Sequence, residues 1–376
     1  VRVVLDGQVT GADGIARVTR HLASALSRLA PEAGIELVVL PPVGIPRYTR
    51  AEGDYLMAAA RRHGADLLHL LDYRVPLYSE DLPVVATVHD LLRVRHPQYC
   101  YTDQEFGARF GPGPLWRLEA VTRALRDVAE YPSGLVRPPH SWHEEFVARM
   151  IAHVAATAAV TITPSRTVAT HLQEAVQRPV STAVAAWGAD HLSRTDRVSL
   201  PPDLVPGRYL LYVGQARAHN GLADMLAAYR TVAADHPDLP LVLVGRDFTP
   251  DFPDERELPP GVIVMGEVDD RSLARLYTDA AVLLHMSAHE GFGLTPLEAM
   301  ACGTRVLVSD LPVLRETLGR HASYTDPTDP ATTARVLDLL LTSPDLHRQA
   351  RADWAARYRW NACASVVIDA YRKALL

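Results

Sequence analysis

At 376 residues the chain is too long for one average hydrophobic core and suits two domains. Its 48% hydrophobic content is ordinary for a globular protein, and no run of eighteen apolar residues exists, so no integral membrane segment is expected. A net charge of −6 without a basic block argues against nucleic acid as a partner and weakens docking on an anionic membrane surface.

The chain opens directly on an apolar strand, VRVVLDG, without the layout of a signal peptide. The three cysteines, Cys100, Cys302 and Cys363, form neither a metal spacing nor a disulfide framework, so a reducing, cytoplasmic setting is expected. Short apolar runs then alternate with helical patterns, the mark of parallel α/β sheets. The first series of predicted strands covers residues 1–5, 35–40, 66–70, 84–88 and 160–163. Between the first two lies an amphipathic helix with Ile15, Val18, Leu22, Ala25, Leu26 and Leu29 on one face. A Pro-rich break at residues 201–206 reads as a linker. A second series follows at residues 209–213, 241–244, 262–265, 282–285 and 306–309. The expected fold class is α/β, with two doubly wound, Rossmann-like domains and an interdomain cleft. The expected bounds are 1–190, a linker at 191–207, 208–357, and a terminal helix at 358–376.

The densest chemistry lies in HEGFGLTPLEAMACGTRVLVSD, a strand–loop–helix–strand unit whose loop sits at the carboxyl end of its strand, where ligands bind in open α/β sheets. Gly291 and Gly293 allow backbone N–H groups to approach a ligand closely. Thr295, Pro296 and Glu298 read as N-cap, first helical residue and the acid of a T-x-x-E capping box. Such a helix end suits a phosphate. By local pattern alone, capping accounts for Glu298 as well as ligand binding does. Glu290, on the loop before Gly-Phe-Gly, has less to do structurally.

This segment resembles the E-x7-E motif of retaining glycosyltransferases of family 4, which have the GT-B fold. YLLYVGQARAHNGLADMLAAY resembles the opening of that family's second domain, and LVLVGRD its next strand. GADGIARVTRHLASAL, VVATVHDLL and VTITPSRTVATHL match its first domain more loosely, and residues 97–150 match weakly. The resemblance implies transfer of a sugar from a nucleoside diphosphate sugar to a hydroxyl of a small-molecule or saccharide acceptor, with retention and without bound metal. It implies that Glu290 holds sugar hydroxyls, that Glu298 takes the ribose, and that Gly291, Phe292, Gly293, Leu294 and Thr295 line the donor. His89, with Glu290 a catalytic candidate, would face the transferred sugar and, with Asp90, the acceptor; the alternative for Asp90 is a cap on the next segment. Gly14 would lie near the donor phosphates, and Asp13 of the same GADG loop near the acceptor. The terminal helix would cross back onto the first domain.

Two positions depart from the pattern. Gln215 and Asn220 stand where the family usually carries Arg and Lys against phosphate. Arg217 is therefore expected to contact the pyrophosphate beside Asn220. Residues 97–150 are rich in aromatics, and Trp142 is expected on the acceptor side; the alternative is a helical hairpin that packs its own rings. Ser165 and Asp269 read as helix N-caps. Two other functions stay open: an inactive or auxiliary partner of another transferase, and a sugar-nucleotide epimerase.

Overall fold

The alternating apolar runs form two six-stranded sheets in which every pairing is parallel. The computed structural model describes residues 1–9, 11, 14–79, 82–135, 137–192, 198–246 and 258–376. It separates into two units, Val1–Trp187 with Trp360–Leu376, and Gly188–Arg359.

The first unit holds β1 (Arg2–Asp6), β2 (Glu36–Leu40), β3 (Leu67–Leu70), β4 (Val84–Thr87), β5 (Val160–Thr163) and β6 (Thr182–Val184), in the order β2-β1-β3-β4-β5-β6. Strands β3, β4 and β5 are buried throughout, as a parallel sheet covered on both faces requires. The helices are α1 (Gly14–Leu29), α2 (Arg50–Arg62), α3 (Leu92–Arg95), α4 (Asp103–Phe110), α5 (Pro112–Val128), α6 (Trp142–Thr157) and α7 (Arg166–Val176). Helix α1 buries Val18, Leu22, Ala25 and Leu26. Ser165 caps α7 by accepting from the Val168 N–H.

The second unit holds β7 (Leu210–Val213), β8 (Leu241–Val244), β9 (Val262–Gly266), β10 (Val282–His285), β11 (Arg305–Ser309) and β12 (Ser323–Thr325), in the order β12-β11-β10-β7-β8-β9. Its helices are α8 (Leu222–Asp235), α9 (Asp270–Asp279), α10 (Leu294–Ala301), α11 (Pro312–Leu318), α12 (Pro330–Thr342) and α13 (Arg348–Ala355). Asp269 caps α9 through the Arg271 and Ser272 N–H groups. The Pro-rich stretch is held within this unit: Leu204 is buried, and the Gly207 N–H donates to the Asp279 carbonyl at 2.7 Å. The chain then returns to the first unit as α14 (Trp360–Ala374), which buries Trp360, Cys363, Val367, Ile368 and Tyr371.

All ten predicted strands are present. Two more, β6 and β12, carry no apolar run because they are three-residue, half-exposed strands at sheet edges. Residues 97–150 fold mainly as α4, α5 and the start of α6, and Phe106, Phe146 and Leu118 join the core of the first unit. Among the described residues no helix is long and apolar enough to cross a membrane.

Candidate functional site

In the second sheet the strand order reverses between β7 and β10, which are neighbours. Loops leaving the carboxyl ends of such a pair diverge and leave a crevice for a ligand. Both predicted donor segments are these two loops.

The loop after β7 is braced from inside. The Gln215 carbonyl accepts from the Tyr212 hydroxyl at 2.8 Å and from the Asn220 side-chain amide at 2.7 Å. Asn220 thus spends one amide N–H on the loop itself. The Arg217 Nε donates to the Gln215 side-chain oxygen at 3.2 Å. The same loop is tied to its neighbour, since the Ala288 N–H donates to the His219 carbonyl at 2.7 Å. Gly221, at φ +63°, makes this approach possible: a Cβ there would stand 1.9 Å from the Met286 carbonyl oxygen.

On the loop after β10, Glu290 is half-buried and its Oε1 lies 2.7 Å from His285 Nε2. The Ser287 hydroxyl lies 3.2 Å from the same nitrogen. Burial pushes the Glu290 carboxyl up, but the His285 charge and hydrogen bond, with Ser287 and His219, outweigh it and hold Glu290 below the ordinary carboxylate value. Gly291 and Phe292 are buried, and the Phe292 ring meets Tyr358 edge-on at 5.7 Å.

The expected capping box is absent. Helix α10 starts two residues early: Gly293, at φ +84°, is its N-cap, and Leu294 and Thr295 are already helical. A Cβ at Gly293 would meet Leu314 Cδ2 at 2.4 Å, so tight packing against α11 sets the helix start. Glu298 is therefore not an N-terminal capping acid. Its side chain is 2% exposed, with Oε1 3.0 Å from His191 Nε2 and Oε2 3.2 Å from the Tyr277 hydroxyl. Neither partner was legible from the motif.

In the first unit, His89 follows β4 and its Nε2 donates to the Leu71 carbonyl at 2.8 Å. That bond assigns the ring proton to Nε2 and leaves Nδ1 as an acceptor. The ring tilts against Trp187 at 5.6 Å. Asp90 turns back on the chain and accepts from the Leu92 N–H at 2.8 Å. Gly14 begins α1 with open space around it, since an added Cβ would meet nothing within 4 Å. Asp13 lies outside the described residues. Trp142 begins α6, with the Arg123 and Arg126 guanidinium groups 5.4 and 5.1 Å from its ring centre. Both arginines belong to α5, so the ring packs between α5 and α6.

A charged cluster escaped the sequence reading. The first sheet reverses its order between β1 and β3. Asp6 ends β1, while Asp72 and Arg74 follow β3. Arg74 bonds Asp72 at 2.5 Å and Glu52 of α2 at 3.2 Å. Burial raises the Asp6 carboxyl, bonds from Gln8 and the Arg74 charge pull it down, and the net is upward. The available signal was an aspartate closing an apolar strand, as in VVLDG and LLHLLDYR.

Residues 204–357 match the family model for glycosyl transferases group 1. That stretch covers both loops of the second unit and α10, so this unit carries the sequence pattern of a glycosyltransferase family. The chain is 30% identical over 206 residues to the O-antigen chain mannosyltransferase B of Escherichia coli, covering 51% of this chain and 54% of that one. It is 29% identical over 182 residues to the GDP-mannose:cellobiosyl-diphosphopolyprenol alpha-mannosyltransferase of Xanthomonas oryzae pv. oryzae, covering 45% and 48%. The chain thus spans about half the length of these curated relatives. Among solved structures, the sucrose-phosphate synthase of Thermosynechococcus elongatus superposes with a TM-score of 0.69 at 19% identity, over 99% of this chain and 98% of that one. The fold is GT-B.

Proposed function

We propose that the protein is a retaining glycosyltransferase that moves a sugar from a nucleoside diphosphate sugar to a hydroxyl of a saccharide or small hydrophilic acceptor, in polysaccharide or natural-product biosynthesis. The observation that carries this reading is the stitching together of the β7 and β10 loops at the order reversal of the second sheet, which gathers Arg217, His219, His285, Glu290 and the start of α10.

Breaking the bond between an anomeric carbon and a pyrophosphate builds negative charge on phosphate and positive charge on the sugar ring. In this reading, backbone N–H groups of residues 291–295 and the Arg217 guanidinium would meet the first. An ionised Glu290 suits the second and accepts from sugar hydroxyls. Glu298 would read the ribose. Retention follows most simply from front-face displacement, in which the departing phosphate helps to take the acceptor proton; no carboxylate nucleophile is needed. No metal enters the scheme, so a chelator should leave turnover unchanged.

A thermal-shift screen against UDP, GDP, dTDP and their sugars tests this first, because a ligand that binds only the folded state raises the melting temperature. GDP-mannose leads the panel, since one matched relative is named for it. Product analysis with the winning donor then separates transfer from isomerised donor and from no turnover. Absence of any nucleotide-dependent shift would sink the reading.

A further inference from the structure

His285 is a polar residue in an apolar place. It ends β10, a strand with neighbours on both sides, and follows the buried Val282, Leu283 and Leu284. Its backbone is in register with Val308 of β11, so its position is set by the sheet and not by the loop. The His285 side chain is 11% exposed and that of Glu290 22%. A separation of 2.7 Å between His285 Nε2 and Glu290 Oε1 is that of a charge-assisted bond. An ionised carboxylate has no proton to give, so Nε2 carries it and donates. The Ser287 hydroxyl, 3.2 Å from the same nitrogen, closes a three-membered cluster inside one turn of chain.

We propose that His285 is a positioning residue: anchored in the sheet, it holds the Glu290 carboxylate in one orientation as the acceptor for hydroxyls of the transferred sugar. The proposal rests on the reading that this loop receives a nucleoside diphosphate sugar. A glutamate on a loop otherwise samples several rotamers, and a carboxylate displaced by about 1 Å can forfeit roughly a hundredfold in rate. Fixing one oxygen from a strand end removes that freedom. The remaining groups around the pair fit this role. His219 approaches from the loop after β7 and adds positive character beside Glu290. Tyr212 on β7 keeps its hydroxyl on the Gln215 carbonyl, and burial first, then the Glu290 charge, raise it further from ionising. The only carboxylate in this set is Glu290, so no second acid competes for the His285 proton among the groups named.

The experiment compares wild type with H285F and H285Q in the full chain, measuring affinity for the free nucleoside diphosphate, affinity for its sugar conjugate, and kcat/KM against pH. In H285F the free nucleotide should bind within about twofold of wild type, while turnover falls by roughly 10–100-fold. The acid limb of kcat/KM should also move to higher pH, because Glu290 loses the partner that favours its ionised form. H285Q, which keeps an N–H donor, should recover most of the turnover. Equal weakening of nucleotide and sugar nucleotide in H285F would mark His285 as structural and overturn the proposal, as would an unmoved acid limb with unchanged turnover. If H285F does not fold, H285Q decides alone: loss of the imidazole beside Glu290 should still raise its acid limb, and an unmoved limb overturns the proposal. Wild-type protein that binds free nucleotide and its sugar conjugate without turnover overturns the functional reading, and the proposal with it, before any variant is compared.

Discussion

His69 and Tyr371 lie 302 positions apart in sequence, and their polar atoms stand 2.7 Å apart in the core of the first unit. His69 sits in the middle of β3 and Tyr371 on α14, both fully buried. The other ring nitrogen of His69 lies 3.1 Å from the Thr87 hydroxyl of β4. The relay ties the terminal helix to two central strands. Burial first, and the nearby His89 second, push the His69 ring down to about 3, so it stays neutral and bonds once as donor and once as acceptor. Tyr371→Phe strips one partner from a buried nitrogen and should lower unfolding stability by about 1–3 kcal/mol. Urea denaturation of the full chain checks this, and a change under about 0.5 kcal/mol would show that the relay holds nothing.

A second buried histidine makes acid stability testable. The His143 Nδ1 accepts from the Tyr101 N–H at 3.1 Å, and its Nε2 has no hydrogen-bond partner among the described residues. Tyr48, Tyr101 and Phe106 surround the ring. Burial, with the Arg93 charge second, pushes His143 down to about 3. An unfolded histidine titrates near 6.5, so between those two values the unfolded chain binds a proton that the folded chain refuses. Folding therefore loses stability as pH falls below about 6.5. His143→Phe should reduce that loss by about 1.4 kcal/mol per pH unit between roughly pH 6 and 4. Denaturation midpoints at pH 7 and pH 5 give the slope; identical slopes in both proteins would refute the assignment.

Arg217 stands in the loop after β7, its Nε on the Gln215 side-chain oxygen and Asn220 on the Gln215 carbonyl. Arg217→Ala should raise the dissociation constant for the nucleoside diphosphate about tenfold, the lower end for a charged hydrogen bond. Titration calorimetry reads this directly. Unchanged affinity would mean that the pyrophosphate is met by backbone N–H groups and histidine alone.

Two glycines separate close approach from open space. Gly221→Ala must relieve both a left-handed backbone and a 1.9 Å contact with the Met286 carbonyl oxygen. The backbone term alone costs about 1–2 kcal/mol, so a lower melting temperature and loss of nucleotide binding are expected together. Gly14→Ala, at the first residue of α1 with nothing near its added Cβ, should leave stability within about 0.5 kcal/mol or improve it. Any change it makes in ligand affinity then reports ligand approach. Scanning calorimetry beside nucleotide titration distinguishes the two variants.

Period and punctuation carried the strands, because runs such as LVLV and VLLH can be buried on both faces only in a parallel sheet. They did not carry β6 or β12, whose three residues each pair on one side only. Local chemistry also misplaced the start of α10. Thr-Pro-Leu-Glu has the form of a capping box, yet the packing of Gly293 on Leu314 starts the helix earlier, and that contact is tertiary. Composition also left the arrangement of the aromatic residues around α4 and α6 open: Tyr101, Phe106, Phe110 and His143 pack on one another, and the Arg123 and Arg126 guanidinium groups lie over the Trp142 ring. The Arg74 cluster joins residues brought together only by strand order.

Glu298 shows why a carboxylate swap alone would mislead. Its two oxygens accept from His191, 107 positions away, and from Tyr277, and the side chain is almost sealed. Glu298→Ala removes a buried bond from each of His191 and Tyr277 and should cost about 1–3 kcal/mol, so lost activity would reflect a weakened unit as much as lost ligand binding. Glu298→Gln keeps the volume and one acceptor oxygen, and should cost less. The informative quantity is discrimination, not rate: if Glu298 takes the ribose, wild type should prefer a nucleoside diphosphate over its 2′,3′-dideoxy analogue by about tenfold or more. In Glu298→Gln that preference should fall to about twofold while the dideoxy analogue binds as before. A preference that survives the substitution would assign Glu298 to the packing of α9 against α10 and remove it from the ligand altogether.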